Sequence, residues 1–210
     1  MIKVLIADDH PIVRKGLKQI ITDSPGMVVA GEASDGQKVL DQVQKNDYDV
    51  VLLDISMPRR SGLDILEQLK SERPGLAILV LSIYPEEQYA VRVLRAGASG
   101  YMTKESAPEE LIAAIRAVSS GRKYISSSLA QRLATELGAA AQKSTHELLS
   151  GREYSVLRLI ASGKTKGGIA EELSLSPKTI STYRARILKK LGLNTDVELV
   201  RYAIEHRLLG

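Results

Sequence analysis

Four short apolar runs in this 210-residue chain each lead into a side chain that phosphate chemistry can use. Asp8 and Asp9 follow Ile2–Ala7, and Asp54 follows Val50–Leu53. Ser82 follows Ile78–Leu81, and Lys104 follows Tyr101–Thr103. Three carboxylates brought together resist full ionisation, because two like charges ~4 Å apart repel by about 4 kcal/mol at an effective dielectric of 20. A retained proton or a bound cation relieves that repulsion. Mg2+ favours one or two carboxylates with water and phosphate oxygens, and a lysine ammonium suits a phosphate dianion. A lone strand-end aspartate is ordinarily a helix cap or a loop former. The full set reads instead as a site for a divalent cation and a phosphoryl group.

The elements that must position these groups are legible in the hydrophobic pattern. Short apolar runs bounded by turn signals read as buried parallel strands, predicted at Ile2–Ala7, Val28–Glu32, Val50–Leu53, Ile78–Leu81 and Gly100–Met102. Between them lie residues at helical spacing, among them Ile12, Leu17 and Ile20, then Val39, Leu40 and Val43, then Leu63, Leu66 and Leu69. Five successive βα units predict a doubly wound parallel sheet, whose ligand crevice lies outside the carboxyl ends of the strands. Ser106 and Glu109 predict a capping box for the fifth helix.

After Tyr124 the pattern changes. Ser126–Ala141 carries Leu129, Leu133 and Leu137 at helical spacing and predicts a connecting helix, and Gln142–Glu147 reads as linker. From Ser150 onward the chain predicts helices alone. Ser150 and Glu153 form a capping-box pair, Ser176-Pro177 supplies an N-cap with Pro at the first helical position, and Gly163 and Gly192 follow helix ends. Thr195 and Glu198 cap a fourth helix.

Charge separates the two halves. Residues 1–125 carry 16 Lys and Arg against 17 Asp and Glu, whereas residues 150–210 carry 11 against 6. A basic C-terminal module points to a polyanionic partner for that module alone. The helix predicted from Ser176 to Leu193 holds Lys178, Arg184, Arg186, Lys189 and Lys190 and no acid. Ile180, Ile187 and Leu191 give it a buried stripe, while Ser181, Thr182, Ala185 and Lys189 fall largely on another face, suited to a DNA major groove. The chain has no cysteine, which excludes a disulfide scaffold. No stretch reaches the ~18–20 apolar residues of a membrane span, and no leader pattern precedes the first strand, so a soluble, cytoplasmic protein is expected.

Residues 1–120 resemble the receiver domains of bacterial two-component response regulators. The resemblance rests on Asp8-Asp9, on Asp54 with Ser56, Met57, Pro58, Gly62 and Asp64, on Ser82, and on Tyr101 with Lys104. It implies a flavodoxin-like (βα)5 fold with Asp54 as phospho-acceptor. It also implies Mg2+ held by Asp9, Asp54 and the Ser56 carbonyl, with Asp8 acting largely through water. Lys104 would pair with the acyl phosphate, the Ser82 hydroxyl would bond it, and Tyr101 would rotate inward. Bulky Tyr84, with Ser56, is expected to shield the phosphoryl group from water and prolong its life.

Leu149–Leu209 resembles the LuxR-type helix-turn-helix domain through Leu149-Ser150, Arg152-Glu153, Val156-Leu157, Ile169-Ala170, Leu173, Ser176, Thr179-Ile180 and Tyr183. Together the two matches indicate a regulator of the NarL/FixJ class. By position, Ser181, Thr182 and Ala185 become base-edge readers, while Lys178, Thr179, Tyr183, Arg184 and Arg186 become phosphate contacts. Lys189 completes the DNA-facing set. Lys166-Gly167-Gly168 departs from the family pattern, and a late or loose helix start is expected there.

The expected organisation is a receiver over 1–122, a linker with a helix over 123–147 and a four-helix DNA-binding domain over 148–210. A sensor histidine kinase would phosphorylate Asp54, and the protein would then bind promoter double-stranded DNA as a homodimer. The alternative is a DNA-binding regulator whose receiver is a phosphorylation-independent dimerisation scaffold. No enzyme is expected: an Mg2+-dependent aspartyl phosphohydrolase needs an acid beside Asp54, where position 56 is Ser. Ser162-Gly163-Lys164-Thr165 mimics a P-loop tail, but Arg158 stands where the leading Gly belongs. His10, His146 and His206 are too scattered to predict a metal site or a triad.

Overall fold

The apolar runs become five parallel strands: β1 (Ile2–Ala7), β2 (Met27–Ala33), β3 (Val50–Asp54), β4 (Ala77–Ser82) and β5 (Gly100–Thr103). The computed structural model describes residues 1–57, 62–126, 129–131, 145–206 and 208–209, with the backbone alone at 87, 88, 145 and 147. The chain divides into two compact units, Met1–Gly138 and Ala139–Gly210. In the first, the strand order is β2-β1-β3-β4-β5, the flavodoxin-like order. Helices α1 (Pro11–Thr22), α2 (Gly36–Lys45), α3 (Gly62–Glu72), α4 (Glu86–Arg95) and α5 (Pro108–Ser119) follow the strands in turn.

Side chains alternate across the sheet. Val4, Ile6, Val50, Leu52, Leu79 and Leu81 form one buried cluster with Ile21 of α1 and Leu111, Ala114, Ile115 and Val118 of α5. Leu5, Val51, Leu53, Ile78 and Val80 are equally buried and point the other way. All five β3 residues and all six β4 residues are buried, which is why those strands read as unbroken apolar runs. Removing a core leucine such as Leu52 to alanine costs about 2–5 kcal/mol.

After α5 the chain returns along β5. Gly100 and Tyr124 form a parallel bridge, and the Tyr124 N–H donates to the Ser99 carbonyl at 2.9 Å. Ser126 Oγ donates to Glu86 Oε2 at 2.5 Å and accepts the Leu129 N–H at 3.1 Å. Leu129 is buried, and residues 129–131 are helical; the rest of the predicted connecting helix, with Leu133 and Leu137, lies outside the described residues.

One expected cap is absent. Helix α5 starts on Pro108 with Ala107 at the N-cap and no side-chain cap. Ser106 lies one residue too early, its N–H donating to the Thr103 carbonyl at 3.2 Å. Proline's fixed φ, rather than the predicted Ser106–Glu109 box, sets this start.

The second unit opens on a 3-10 turn (Thr145–Leu148), followed by α6 (Gly151–Ala161), α7 (Lys166–Glu172), α8 (Pro177–Leu191) and α9 (Asp196–Glu205). Ser150–Glu153 and Thr195–Glu198 are full capping boxes, and Ser176 caps α8 with Pro177 following. Gly192 ends α8 at φ 68°, a left-handed position that favours glycine. Helix α7 begins at Lys166 itself, because Thr165 accepts the Gly168 N–H at 3.2 Å; the late start expected from the two glycines does not occur. Val156, Leu157, Ile169, Ile180, Ile187, Leu199 and Ala203 supply the core. No described helix is long and apolar enough to cross a membrane.

Candidate functional sites

Asp54 closes β3, Ser82 closes β4, Asp8 and Asp9 follow β1, and Lys104 follows β5, so all five stand at the carboxyl end of the sheet. β1 and β3 are the central pair from which the strand order departs in both directions, the place where such sheets bind ligands. Asp54 and Asp8 are buried, at 1 % exposure each. Asp54 Oδ1 accepts the Ser56 N–H at 2.8 Å, and its Oδ2 lies 2.7 Å from Lys104 Nζ. The same ammonium lies 2.6 Å from Asp8 Oδ2. Lys104 is itself seated by its N–H, which donates to the Ser82 carbonyl at 2.8 Å.

Burial pushes the Asp54 carboxyl above its usual range, with Lys104 and the Ser56 N–H pulling against it and Asp8 adding to it. Burial pulls the Lys104 ammonium down, but Asp54 and Asp8 together outweigh it and leave it above its usual value. Lys104 is therefore a persistent cation, one positive charge against three carboxylates. That remaining negative charge suits a divalent cation. Ser56 Oγ is buried without a hydrogen-bond partner among the described residues, while buried Asp8 Oδ2 and Asp9 Oδ1 face Lys104 and the following histidine, and these oxygens are of the kind such an ion takes up.

The sequence reading missed His10. Its N–H donates to Asp8 Oδ1 at 2.8 Å, and its ring Nδ1 lies 2.9 Å from Asp9 Oδ1 and 3.2 Å from Asp8 Oδ1. The signal was adjacency: His10 directly follows the Asp8-Asp9 pair, but the three histidines were judged as a set. His146 and His206, 60 residues apart in the chain, also converge, with ring centroids at 5.4 Å.

The expected switch residues meet on the backbone of one residue, Tyr84. Tyr101 is 2 % exposed, already inside the receiver, and its hydroxyl reaches the Tyr84 carbonyl. Ser82 Oγ accepts the Tyr84 N–H at 3.0 Å. Tyr84 in turn packs on Tyr89, with ring centroids 5.1 Å apart. Met57, beside the acceptor, is fully buried; Pro58 lies outside the described residues.

In the second unit, Ile180, Ile187, Leu188 and Leu191 hold α8 against the core. Lys178, Thr182, Ala185, Arg186 and Lys189 are exposed, and Thr179, Ser181, Tyr183 and Arg184 half-buried. Ser181 Oγ donates to the Pro177 carbonyl and receives Lys166 Nζ, each at 3.1 Å. Thr182 Oγ1 donates to the Lys178 carbonyl at 3.2 Å. Arg184 Nε pairs with Asp196 Oδ1 at 2.6 Å. Lys190 Nζ pairs with buried Glu153 Oε2 at 2.6 Å while its side chain stays exposed. Lys166, noted in the sequence only as part of the Lys166-Gly167-Gly168 departure, joins α7 to α8.

Comparison with known proteins follows the same division. Residues 4–116 match the response regulator receiver domain, and residues 147–203 match the bacterial regulatory proteins of the luxR family. The chain is 40% identical over 209 residues to the response regulator UvrY of Escherichia coli, covering 99% of this chain and 96% of that protein. It is 39% identical over 210 residues to the response regulator GacA of Pseudomonas aeruginosa, covering 100% and 98%. The solved RcsB response regulator of Salmonella typhimurium superposes with a TM-score of 0.59 at 32% identity, over 97% of this chain and 98% of that one. Another structure, of RcsB from Salmonella enterica serovar Typhimurium bound to promoter rprA in the presence of phosphomimetic BeF3-, gives 0.59 at 31% identity, covering 96% and 98%. The protein belongs to the NarL/FixJ-class response regulators, transcription regulators that join a receiver to a LuxR-type DNA-binding domain.

Proposed function

We propose that Asp54 accepts a phosphoryl group from a sensor histidine kinase and that the modified protein binds promoter DNA as a homodimer in the cytoplasm. In this reading residues 1–122 are the receiver, 123–147 the linker and 148–210 the DNA-binding domain. The observation that carries it is the Asp54 carboxylate, buried, oriented by the Ser56 N–H and paired with Lys104 at the sheet's carboxyl end. A carboxylate oxygen bonds to phosphorus as the kinase imidazole leaves. Lys104 then holds the new charge, and Ser82 turns from the Tyr84 N–H to a phosphoryl oxygen. Mg2+ at Asp8, Asp9, Asp54 and the Ser56 carbonyl would offset the charge of carboxylates and phosphoryl oxygens together. Tyr84 screens the acyl phosphate from water.

Lys178, Thr179, Tyr183, Arg184 and Arg186 serve as phosphate contacts, and Ser181, Thr182 and Ala185 as base readers, with Lys189 on the same face. Each phosphate contact removed should lower the salt slope by about one, whereas a base reader should change sequence preference.

The test is the intact mass with acetyl phosphate and Mg2+, beside Asp54→Asn, with both samples sized and titrated with promoter DNA. Gain of one phosphoryl group on the wild type alone, with dimerisation and tighter DNA binding, supports the switch. Full DNA binding without phosphoryl uptake, also from a kinase donor, supports the scaffold reading instead. That second reading draws on Tyr101, which occupies its inner position in the unmodified chain.

A further inference from the structure

The acidic pocket contains a nitrogen that a purely carboxylate site leaves idle. Asp8, Asp9, His10 and Asp54 each offer a ligand atom within 4.8 Å of the others. His10 Nδ1 stands 2.9 Å from Asp9 Oδ1 and 3.2 Å from Asp8 Oδ1. In an octahedral shell with bonds of about 2.1 Å, neighbouring ligand atoms lie about 3.0 Å apart. The imidazole nitrogen is therefore spaced from each carboxylate oxygen as one ligand of a small dication is from the next.

The surrounding residues favour this use of the ring. Lys104 takes the Oδ2 side of Asp8 and Asp54, leaving Asp8 Oδ1 to His10. His10 occupies the N-cap of α1 without capping it through its side chain, so the helix does not consume the ring. Its main chain is fixed by the N–H bond to Asp8 and by Pro11 behind it, while Arg14 donates to the Asp8 carbonyl at 2.8 Å. The ring is 62% exposed and adjusts without opening the core. Buried Asp9 Oδ1 faces the His10 ring at 2.9 Å, so the nitrogen and the carboxylate oxygen already stand side by side in the pocket.

We propose that His10 is a specificity-determining ligand of this cation site. With it, the pocket takes a first-row transition dication in preference to Mg2+. Carboxylates alone suit Mg2+ or Mn2+, whereas an imidazole shifts preference along the Irving–Williams order toward Ni2+ and its neighbours. The proposal rests on the cation reading of the pocket and adds the identity of the ion.

The experiment is calorimetric titration of the full-length chain with Ni2+ and with Mg2+, for the wild type, His10→Ala and His10→Asn. Each is repeated with His206→Ala, because the His146–His206 pair is a second place where Ni2+ can bind. Metal-free melting of the His10 variants at the wild-type temperature establishes that they fold. The expected result is tighter Ni2+ than Mg2+ on the wild type, with Ni2+ weakened about tenfold or more in both His10 variants and Mg2+ moved by less than about threefold. An unchanged Ni2+ to Mg2+ ratio overturns the His10 assignment and leaves the cation reading standing. Failure of both Ni2+ and Mg2+ to bind the wild type at millimolar concentration overturns both.

Discussion

The Tyr101 hydroxyl donates to the Tyr84 backbone carbonyl at 2.7 Å, while the N–H of that same residue donates to Ser82 Oγ. Residue 84 thus joins the inner tyrosine to the hydroxyl beside the acceptor pocket. Tyr101→Phe keeps the buried ring and removes one bond, an expected loss of about 1 kcal/mol. Urea unfolding reads that loss, and hydrogen exchange should be faster at the Tyr84 amide than in β1. Unaltered exchange there would show that the loop is held by other means.

Gly62 stands where no side chain fits. A Cβ would lie 2.5 Å from the Asp54 carbonyl oxygen and 2.5 Å from Ile55 Cα, and backbone on both sides cannot yield cheaply. Gly62→Ala is expected to destabilise the receiver by about 1–3 kcal/mol and to slow phosphoryl uptake through a displaced Asp54. Unfolding and a timed acetyl phosphate reaction measure the two effects; wild-type values for both would mean that the β3–α3 connection relaxes freely.

Glu153 ties acid stability to the second unit. Burial raises its carboxyl, but Lys190 and the Ser150 N–H outweigh that and hold it below the usual glutamate range. A depressed folded value means that the stabilisation is complete above the unfolded value of about 4.3 and is lost as pH falls through the folded one. Glu153→Gln should therefore cost about 2 kcal/mol at neutral pH and nothing in strong acid. Urea titrations followed through α6–α9 resonances, at neutral and acid pH, distinguish this from a pH-independent loss.

Gly167 is exposed in the first turn of α7, and the nearest atom to an added Cβ is Thr165 Oγ1 at 4.0 Å. Gly167→Ala should stabilise the second unit by about 0.5–1 kcal/mol, since helix propensity changes and packing does not. A lowered melting temperature would show instead that this turn needs glycine's freedom.

Legibility of the molecule followed the range of the interactions. β3 and β4 were readable because both faces are buried and every residue before the terminal Asp54 and Ser82 is apolar. Ser150–Glu153 and Thr195–Glu198 were readable because a capping box closes within three residues. Ser106–Glu109 has the same letters and fails, since Pro108 already dictates where α5 begins. In the site, Asp8, Asp54 and Lys104 were marked by strand ends, and the structure brings them together. The Lys190–Glu153 pair was not legible, because its partners lie 37 residues apart and only helix packing sets that encounter. His10-Pro11 was legible as the opening of α1, where His10 is the N-cap, but the ring's place beside Asp8 and Asp9 was not, because the backbone turn there sets it.

The Gly100–Tyr124 bridge has a consequence for anyone cutting the receiver free. β5 ends the sheet, and an uncovered end strand is a template on which another copy can pair. The residues after α5 occupy that margin, so closely that a Cβ at Gly100 would sit 2.6 Å from the Tyr124 carbonyl oxygen. A truncation at Ser119 would strip the strand bare and convert a monomeric fragment into one that self-associates, whereas a fragment carried through residue 131 keeps its own cover.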